Sequence, residues 1–221
     1  MSVNGRLVVI AGATSASGLA AARALSEGGA RVVAVGRDAA RLRLLPDAVV
    51  TEVCDLTDEA AVFALAGRVH DAAGRVDGVL HLVGGWRGGG GLAGQSDEDF
   101  RFLERSLTAL RHVSREFYED LASSSAGRLA VVSSTAVARP LAGGANYAAV
   151  KAATEAWSRA VAQGFAKGAK GARDGGREPA AASVIFRVAS LAGREDELAN
   201  RFVALWDAPA AEINDSTIEL A

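Results

Sequence analysis

Cysteine occurs once in the 221 residues, at Cys54, which excludes an intramolecular disulfide framework and any multi-cysteine metal site. Charge of one sign is also missing. The 24 Lys plus Arg face 26 Asp plus Glu, a formal net charge of −2, so no global basic field collects nucleic acid or anionic lipid. Long apolar runs are absent too: the stretch from Leu7 to Ala13 is too short to span a bilayer and follows no basic leader or cleavage pattern. The chain therefore reads as cytoplasmic, with neither nucleic acid nor membrane as a partner. Tyrosine and lysine are scarce, with two and three copies in turn. What is plentiful is apolar: half of the residues, enough for one sizeable core and a single domain over residues 1–221.

Short β-branched runs alternate with Ala/Leu-rich segments at helical spacing, the pattern of repeated βαβ units around a parallel sheet. Strands are expected at Leu7 to Ala11, Arg31 to Val35, Val49 to Val53, Val79 to Val83, Leu129 to Ser133 and Ser183 to Val188. Helices are expected at Gly18 to Glu27, Asp58 to Ala72, Asp97 to Leu121 and Ala145 to Phe165, with a last helix near Asp196 to Trp206 and a short strand near Thr217 to Leu220. Ser96 is a fitting cap for the helix at Asp97, with Asp99 reaching back in a capping box. Two glycine-rich stretches, at residues 84–94 and 164–176, are expected to be loops. The first follows a strand end, where open α/β sheets place ligands, and reads as a wall of the active site. The second reads as a surface insertion.

After the first strand comes GATSASGLAAARAL, in which Gly12 and Gly18 flank a turn of small residues that opens an amphipathic helix. Such a turn lets backbone N–H groups approach a pyrophosphate, and the helix N-terminus adds partial positive charge. At the end of the second strand, VAVGRD places Gly36 and Arg37 where an NAD site usually offers a carboxylate to the ribose. Arg37 suits a 2′-phosphate instead, so NADP(H) is expected in preference to NAD(H). The adjacent Asp38 is the competing candidate for the ribose. Asp55, in CDLTD, is placed either to meet an adenine ring or to cap the helix that follows.

The most specific signal is SSTAVARPLAGGANYAAVK, with Ser134, Tyr147 and Lys151. Four-residue spacing puts Tyr147 and Lys151 on one helix face. A free phenol has a pKa near 10, and a neighbouring ammonium favours the phenolate. A drop of about three units requires roughly 4 kcal/mol of differential stabilisation, which Lys151 and a nicotinamide cation would supply together.

With these residues the chain resembles the short-chain dehydrogenase/reductase family over nearly its whole length. The resemblance implies a three-layer α/β Rossmann fold with a doubly wound parallel sheet of about seven strands. It implies that Ser134 polarises a substrate carbonyl, that Tyr147 donates the proton in reduction, and that Lys151 holds the nicotinamide ribose and depresses the Tyr147 pKa. The implied cofactor site takes in Gly12, Thr14, Ser15, Ser17, Gly18 and Leu19, then Arg37, then Asp55 and Leu56, then Val83, Gly84 and Gly85, together with Tyr147 and Lys151. Trp86 joins Ser134 and Tyr147 as the expected substrate pocket. The implied reaction is NADPH-dependent reduction of a small-molecule carbonyl to an alcohol, carried out by a homodimer or homotetramer.

Four positions depart from the family pattern. Ala16 stands for the middle glycine of the turn. His81, Leu82, Val83 and Gly84 stand where the family has NNAG. Ser106 lies near the place of a helper asparagine, and Arg187 to Leu191 replace a Pro-Gly turn. These losses motivate two other readings: an NADP(H)-binding sensor or scaffold with little turnover, and an epimerase or dehydratase without net redox change. His70 and His112 have no second ligand at a useful spacing, so no metal site is expected. His81 ends a strand on the cofactor side, either as a functional group or as a hydrogen-bonded structural histidine. Cys54, Trp157 and Trp206 read as packing residues.

Overall fold

The computed structural model describes residues 2–172 and 179–220. Seven strands form one sheet: β1 (Leu7–Ala11), β2 (Arg31–Gly36), β3 (Val50–Val53), β4 (Gly78–His81), β5 (Arg128–Ser134), β6 (Ala182–Val188) and β7 (Thr217–Glu219). Their order is β3-β2-β1-β4-β5-β6-β7, with every neighbouring pair parallel. The order reverses at β1, so one crevice opens at the carboxyl ends of β1 and β4, where a doubly wound sheet takes its ligand.

The helices are α1 (Ala16–Glu27), α2 (Ala39–Leu42), α3 (Glu59–Ala73), α4 (Asp97–Glu116), α5 (Tyr118–Ser123), α6 (Ala145–Ala172), α7 (Glu195–Val203) and α8 (Ala210–Ile213). Because the central strands are apolar on both faces, the sheet buries two layers. On one face Leu25 of α1 and Leu198 and Phe202 of α7 pack on Val8, Ile10, Val184 and Phe186. On the other, Leu65 of α3, Val113 of α4 and Phe165 of α6 pack on Leu7, Val9, Val79 and Leu129.

The expected strands and helices are present, with six differences. The fourth strand ends at His81 rather than Val83, because Leu82 and Val83 turn to line a cavity. Helix α2 has no counterpart among the expected elements; it is four residues long and forms where the Asp38 carboxylate accepts from the N–H groups of Ala40 and Arg41. The long helix from Asp97 breaks at Phe117 into α4 and α5, and the last helix gives way to a 3₁₀ turn over Ala204–Trp206. Asp99 turns toward Arg87 at 3.8 Å, so the Ser96 cap on its N–H stands without the reciprocal bond. Finally, the stretch at 164–176 is not a loop throughout. Helix α6 continues through Gly164 and Gly168 to Ala172, and residues 173–176 lie outside the described residues. Phe165 anchors that continuation by stacking on Tyr118 of α5, centroids 5.2 Å apart, and tertiary packing outweighs glycine's low helix propensity.

Candidate active site

The turn after β1 is shaped by two glycines. Gly12 has φ +88°, and a Cβ there would lie 2.8 Å from the Val83 nitrogen, so only glycine lets the β1 and β4 ends approach this closely. A Cβ on Gly18 would collide with the Ala13 carbonyl, which binds the turn to the first helical residues. Ser15 caps α1, its Oγ accepting from the Gly18 N–H at 3.0 Å. The first turn of α1 carries no acidic side chain, so nothing on it opposes an anion at the positive helix end.

Beside this turn lies a cavity of about 580 Å³. Gly12, Thr14, Ser15, Arg37, Asp55, Leu56, Val83 and Gly84 line it, as expected from the sequence, and so does Ser106. Six residues of the expected cofactor set do not: Tyr147 and Lys151, which lie beyond its Gly84 edge, and four others. Ser17 is buried, Leu19 packs on the core, Gly18 serves the turn, and Gly85 faces the Phe102 ring. Two arginines that line the cavity carry no signal in the sequence: Arg41 on α2, and Arg105 on α4, which donates to Asp55 at 3.2 Å. Asp55 also accepts from the Thr57 N–H and hydroxyl, bonds that hold its carboxyl below the ordinary value despite partial burial. Asp58, not Asp55, caps α3. Asp38 is committed to α2 as its cap.

Strand β5 carries Ser134 to its carboxyl end, where the Ser134 Oγ accepts from the Ala136 N–H at 3.2 Å and starts a 3₁₀ turn. Tyr147 and Lys151 follow in the first two turns of α6. Burial raises the Tyr147 phenol above its ordinary 10, and the neighbouring Ser134 side chain opposes the rise. Lys151 is buried, donates to the Val132 carbonyl at 2.8 Å, and sits 5.8 Å from the Tyr147 ring centroid. Burial pushes it down to about 8. The expected lowering of Tyr147 by Lys151 is therefore not found: desolvation dominates the phenol, and the ammonium is bonded to the strand. Gly84 connects the triad to the cavity, since a Cβ there would lie 3.9 Å from the Lys151 Nζ.

Residues 84–94 are an irregular loop, as expected, with Trp86 62% exposed. Its fastening is not legible in the sequence. Gln95 Nε2 donates to the carbonyls of Gly89 and Gly143 at 3.0 Å each, while its Oε1 accepts from the Asn146 N–H at 3.1 Å. The loop is thus tied to the segment that delivers Tyr147. The remaining histidines are structural: His70 pairs with Asp120 at 2.7 Å, and His112 meets the Leu56 carbonyl at 3.2 Å. Among the described residues no His/Cys/Asp/Glu cluster could hold a metal, and no helix is long and apolar enough to cross a membrane. Cys54 and Trp206 are buried in the core, and Trp157 packs against it with its indole N–H on Ser114.

Known proteins are similar to this chain in sequence and in fold. The chain is 29% identical to the 3β-hydroxysteroid dehydrogenase of Mediterraneibacter gnavus over 169 residues, 73% of this chain and 61% of that protein. The curated relatives it matches are longer, and the matched parts span between 31% and 64% of their lengths. In fold it is similar to a 3-ketoacyl-(acyl-carrier-protein) reductase from Brucella melitensis complexed with NADH, with a TM-score of 0.84, 22% identity, and coverage of 99% and 98% of the two chains. It is also similar to the L-sorbose reductase from Gluconobacter frateurii complexed with NADPH and L-sorbose, with a TM-score of 0.82, 19% identity, and coverage of 100% and 96%. The short chain dehydrogenase pattern matches residues 6–169, the span that holds the glycine turn, the cavity and all of Ser134, Tyr147 and Lys151; the chain belongs to the short-chain dehydrogenase/reductase family.

Proposed function

We propose that the protein is an NADPH-dependent reductase of a small-molecule carbonyl. The observation that carries this reading is the convergence of Ser134 at the end of β5 with Tyr147 and the buried Lys151 on the first turns of α6, at the edge of the glycine-walled cavity. A reduced nicotinamide supplies the hydride when bound. The Ser134 hydroxyl holds the carbonyl oxygen, and the Tyr147 hydroxyl delivers the proton that the oxygen needs as it becomes an alcohol. A phenol raised above 10 stays protonated at neutral pH and is ready to act as an acid. Lys151 holds the nicotinamide ribose with the ammonium N–H groups that Val132 leaves free.

The preference for NADPH is supported by Arg37 and Arg41, both exposed on the cavity wall with guanidinium groups suited to a 2′-phosphate. Asp38, the neighbour of Arg37 that the sequence offers to the ribose of NADH, spends its carboxylate on the cap of α2. Trp86 supplies an apolar side to the substrate pocket. The test is NADPH consumption with a panel of ketones and aldehydes. Tyr147→Phe is expected to lower kcat by about 10²-fold or more, as loss of a general acid does, while nucleotide binding stays as it was. Full turnover in this variant overturns the mechanism.

A further inference from the structure

At the carboxyl end of β4 the His81 imidazole is 4% exposed, and its two nitrogens have different fates. Nε2 lies 3.1 Å from the Ser106 carbonyl oxygen of α4, which is an acceptor and nothing else. Nε2 therefore carries the ring proton, and Nδ1 is a bare lone pair. That lone pair is buried and accepts no hydrogen bond among the described residues. Left alone, such an acceptor loses its water without replacement.

Lys151 poses the complementary problem. Its ammonium has three N–H donors and is 9% exposed, and one donor goes to the Val132 carbonyl of β5. Its charge reaches His81, and it is the charged group among the described residues that does so. The other titratable group against Lys151 is Tyr147 on the same helix, which is turned to Ser134. Glu155, one turn further along α6, is taken up by Ser133, Arg159 and Arg187. A buried donor in excess thus stands near a buried acceptor in excess: His81 of β4 pairs with Val131 of β5, and the next residue, Val132, holds the Lys151 ammonium of α6.

We propose that His81 is a positioning residue for Lys151, its Nδ1 accepting a hydrogen bond from the Lys151 ammonium through one bridging water. The two nitrogens make no direct hydrogen bond, and a water with a partner on each side is the ordinary link between buried polar groups that do not touch. The Ser106 carbonyl fixes the ring tautomer that makes Nδ1 an acceptor, just as an outer partner fixes the free nitrogen of a metal-bound histidine. Such an acceptor favours the charged lysine against the desolvation that pushes it down to about 8. Beside that ammonium the imidazole stays neutral, held down to about 3 by burial and by the Lys151 charge. The geometry stands apart from the reaction, but the consequence, a charged Lys151 available to a ribose, rests on the reading under Proposed function.

The chain has three lysines, Lys151, Lys167 and Lys170, so selective isotope labelling of lysine gives an NMR titration in which Lys151 is resolved in the unliganded protein. In His81→Leu the Lys151 midpoint is expected to fall by about half a unit or more, and in His81→Gln, which restores an acceptor, to move back toward the wild-type value. An unchanged midpoint in folded His81→Leu overturns the proposal, since a merely structural histidine leaves that titration where it is. If His81→Leu does not fold, the wild-type imidazole nitrogen spectrum decides: Nδ1 at the position of a hydrogen-bonded acceptor supports the bridge, and Nδ1 at that of a free lone pair overturns it. A protein that fails to bind NADPH refutes the functional reading, whereas the lysine titration still decides the role of His81 separately.

Discussion

Replacing Glu155 by glutamine probes how the strand end that carries Ser134 is held. The Glu155 side chain is 3% exposed, and its carboxylate accepts from the Ser133 hydroxyl at 2.8 Å, from Arg187 at 2.9 to 3.1 Å on both oxygens, and from Arg159 at 3.1 Å. Arg187 is 20% exposed and Arg159 44%, so the first pair is poorly screened and the second contributes within the range of about 0–1 kcal/mol for surface pairs. Glutamine keeps the shape, removes the charge and turns an N–H₂ toward a guanidinium. With charge-assisted bonds at about 1.5–3 kcal/mol and Ser133 still able to donate, the expected loss is about 2–4 kcal/mol. For a chain of this size that lowers Tm by roughly 5–15 °C. The effect also depends on pH. Burial alone raises the Glu155 carboxyl, but the bonds from Arg187, Ser133 and Arg159 outweigh it, and the folded value lies below the ordinary 4.5. A depressed carboxyl stabilises the fold above the unfolded value and loses that contribution as pH falls through the folded one. Urea unfolding of both proteins at neutral pH and below pH 4.5 is the assay. A difference under about 1 kcal/mol at neutral pH, or one that does not shrink on acidification, refutes the reasoning.

Two further substitutions separate site from scaffold. Gly12→Ala forces an L residue into φ +88° and against the Val83 nitrogen; calorimetry is expected to show nucleotide affinity at least about 10-fold weaker, with stability lower by about 1–2 kcal/mol. Arg128→Met removes a fully buried guanidinium that donates to the carbonyls of Gly127, Ala180, Leu205 and Ala208; with these acceptors stranded, denaturant titration is expected to show a loss of about 3–5 kcal/mol.

What is readable from the sequence has local causes. The Val/Ile-rich runs of β1, β2, β5 and β6 stand where the spacing puts them, because strands buried on both faces need continuous apolar residues. The order Gly12, Ser134, Tyr147, Lys151 is likewise legible, since each residue type answers a chemical need at a fixed position. What escapes depends on partners far along the chain. Gln95 and Asn146 are distant in sequence, and nothing near either announces the latch between them. Helix α2 is too short for periodicity to register, so Arg41 gives no signal and Asp38 looks free for a ribose. The direction of the Tyr147 shift differs from the expected one because the spacing shows that Lys151 shares its face, but not that the Val132 carbonyl draws the ammonium to the strand.

The most direct test of the account is the affinity of the purified protein for NADPH and for NADH, followed by tryptophan fluorescence and repeated on the Arg37→Ala, Arg41→Ala double variant. The account predicts NADPH binding about 10-fold or more tighter than NADH binding, and loss of that preference in the variant while NADH binding hardly changes, as expected when charge-assisted contacts to one phosphate are removed. Equal affinity for the two nucleotides, or a preference that survives the loss of both arginines, contradicts it.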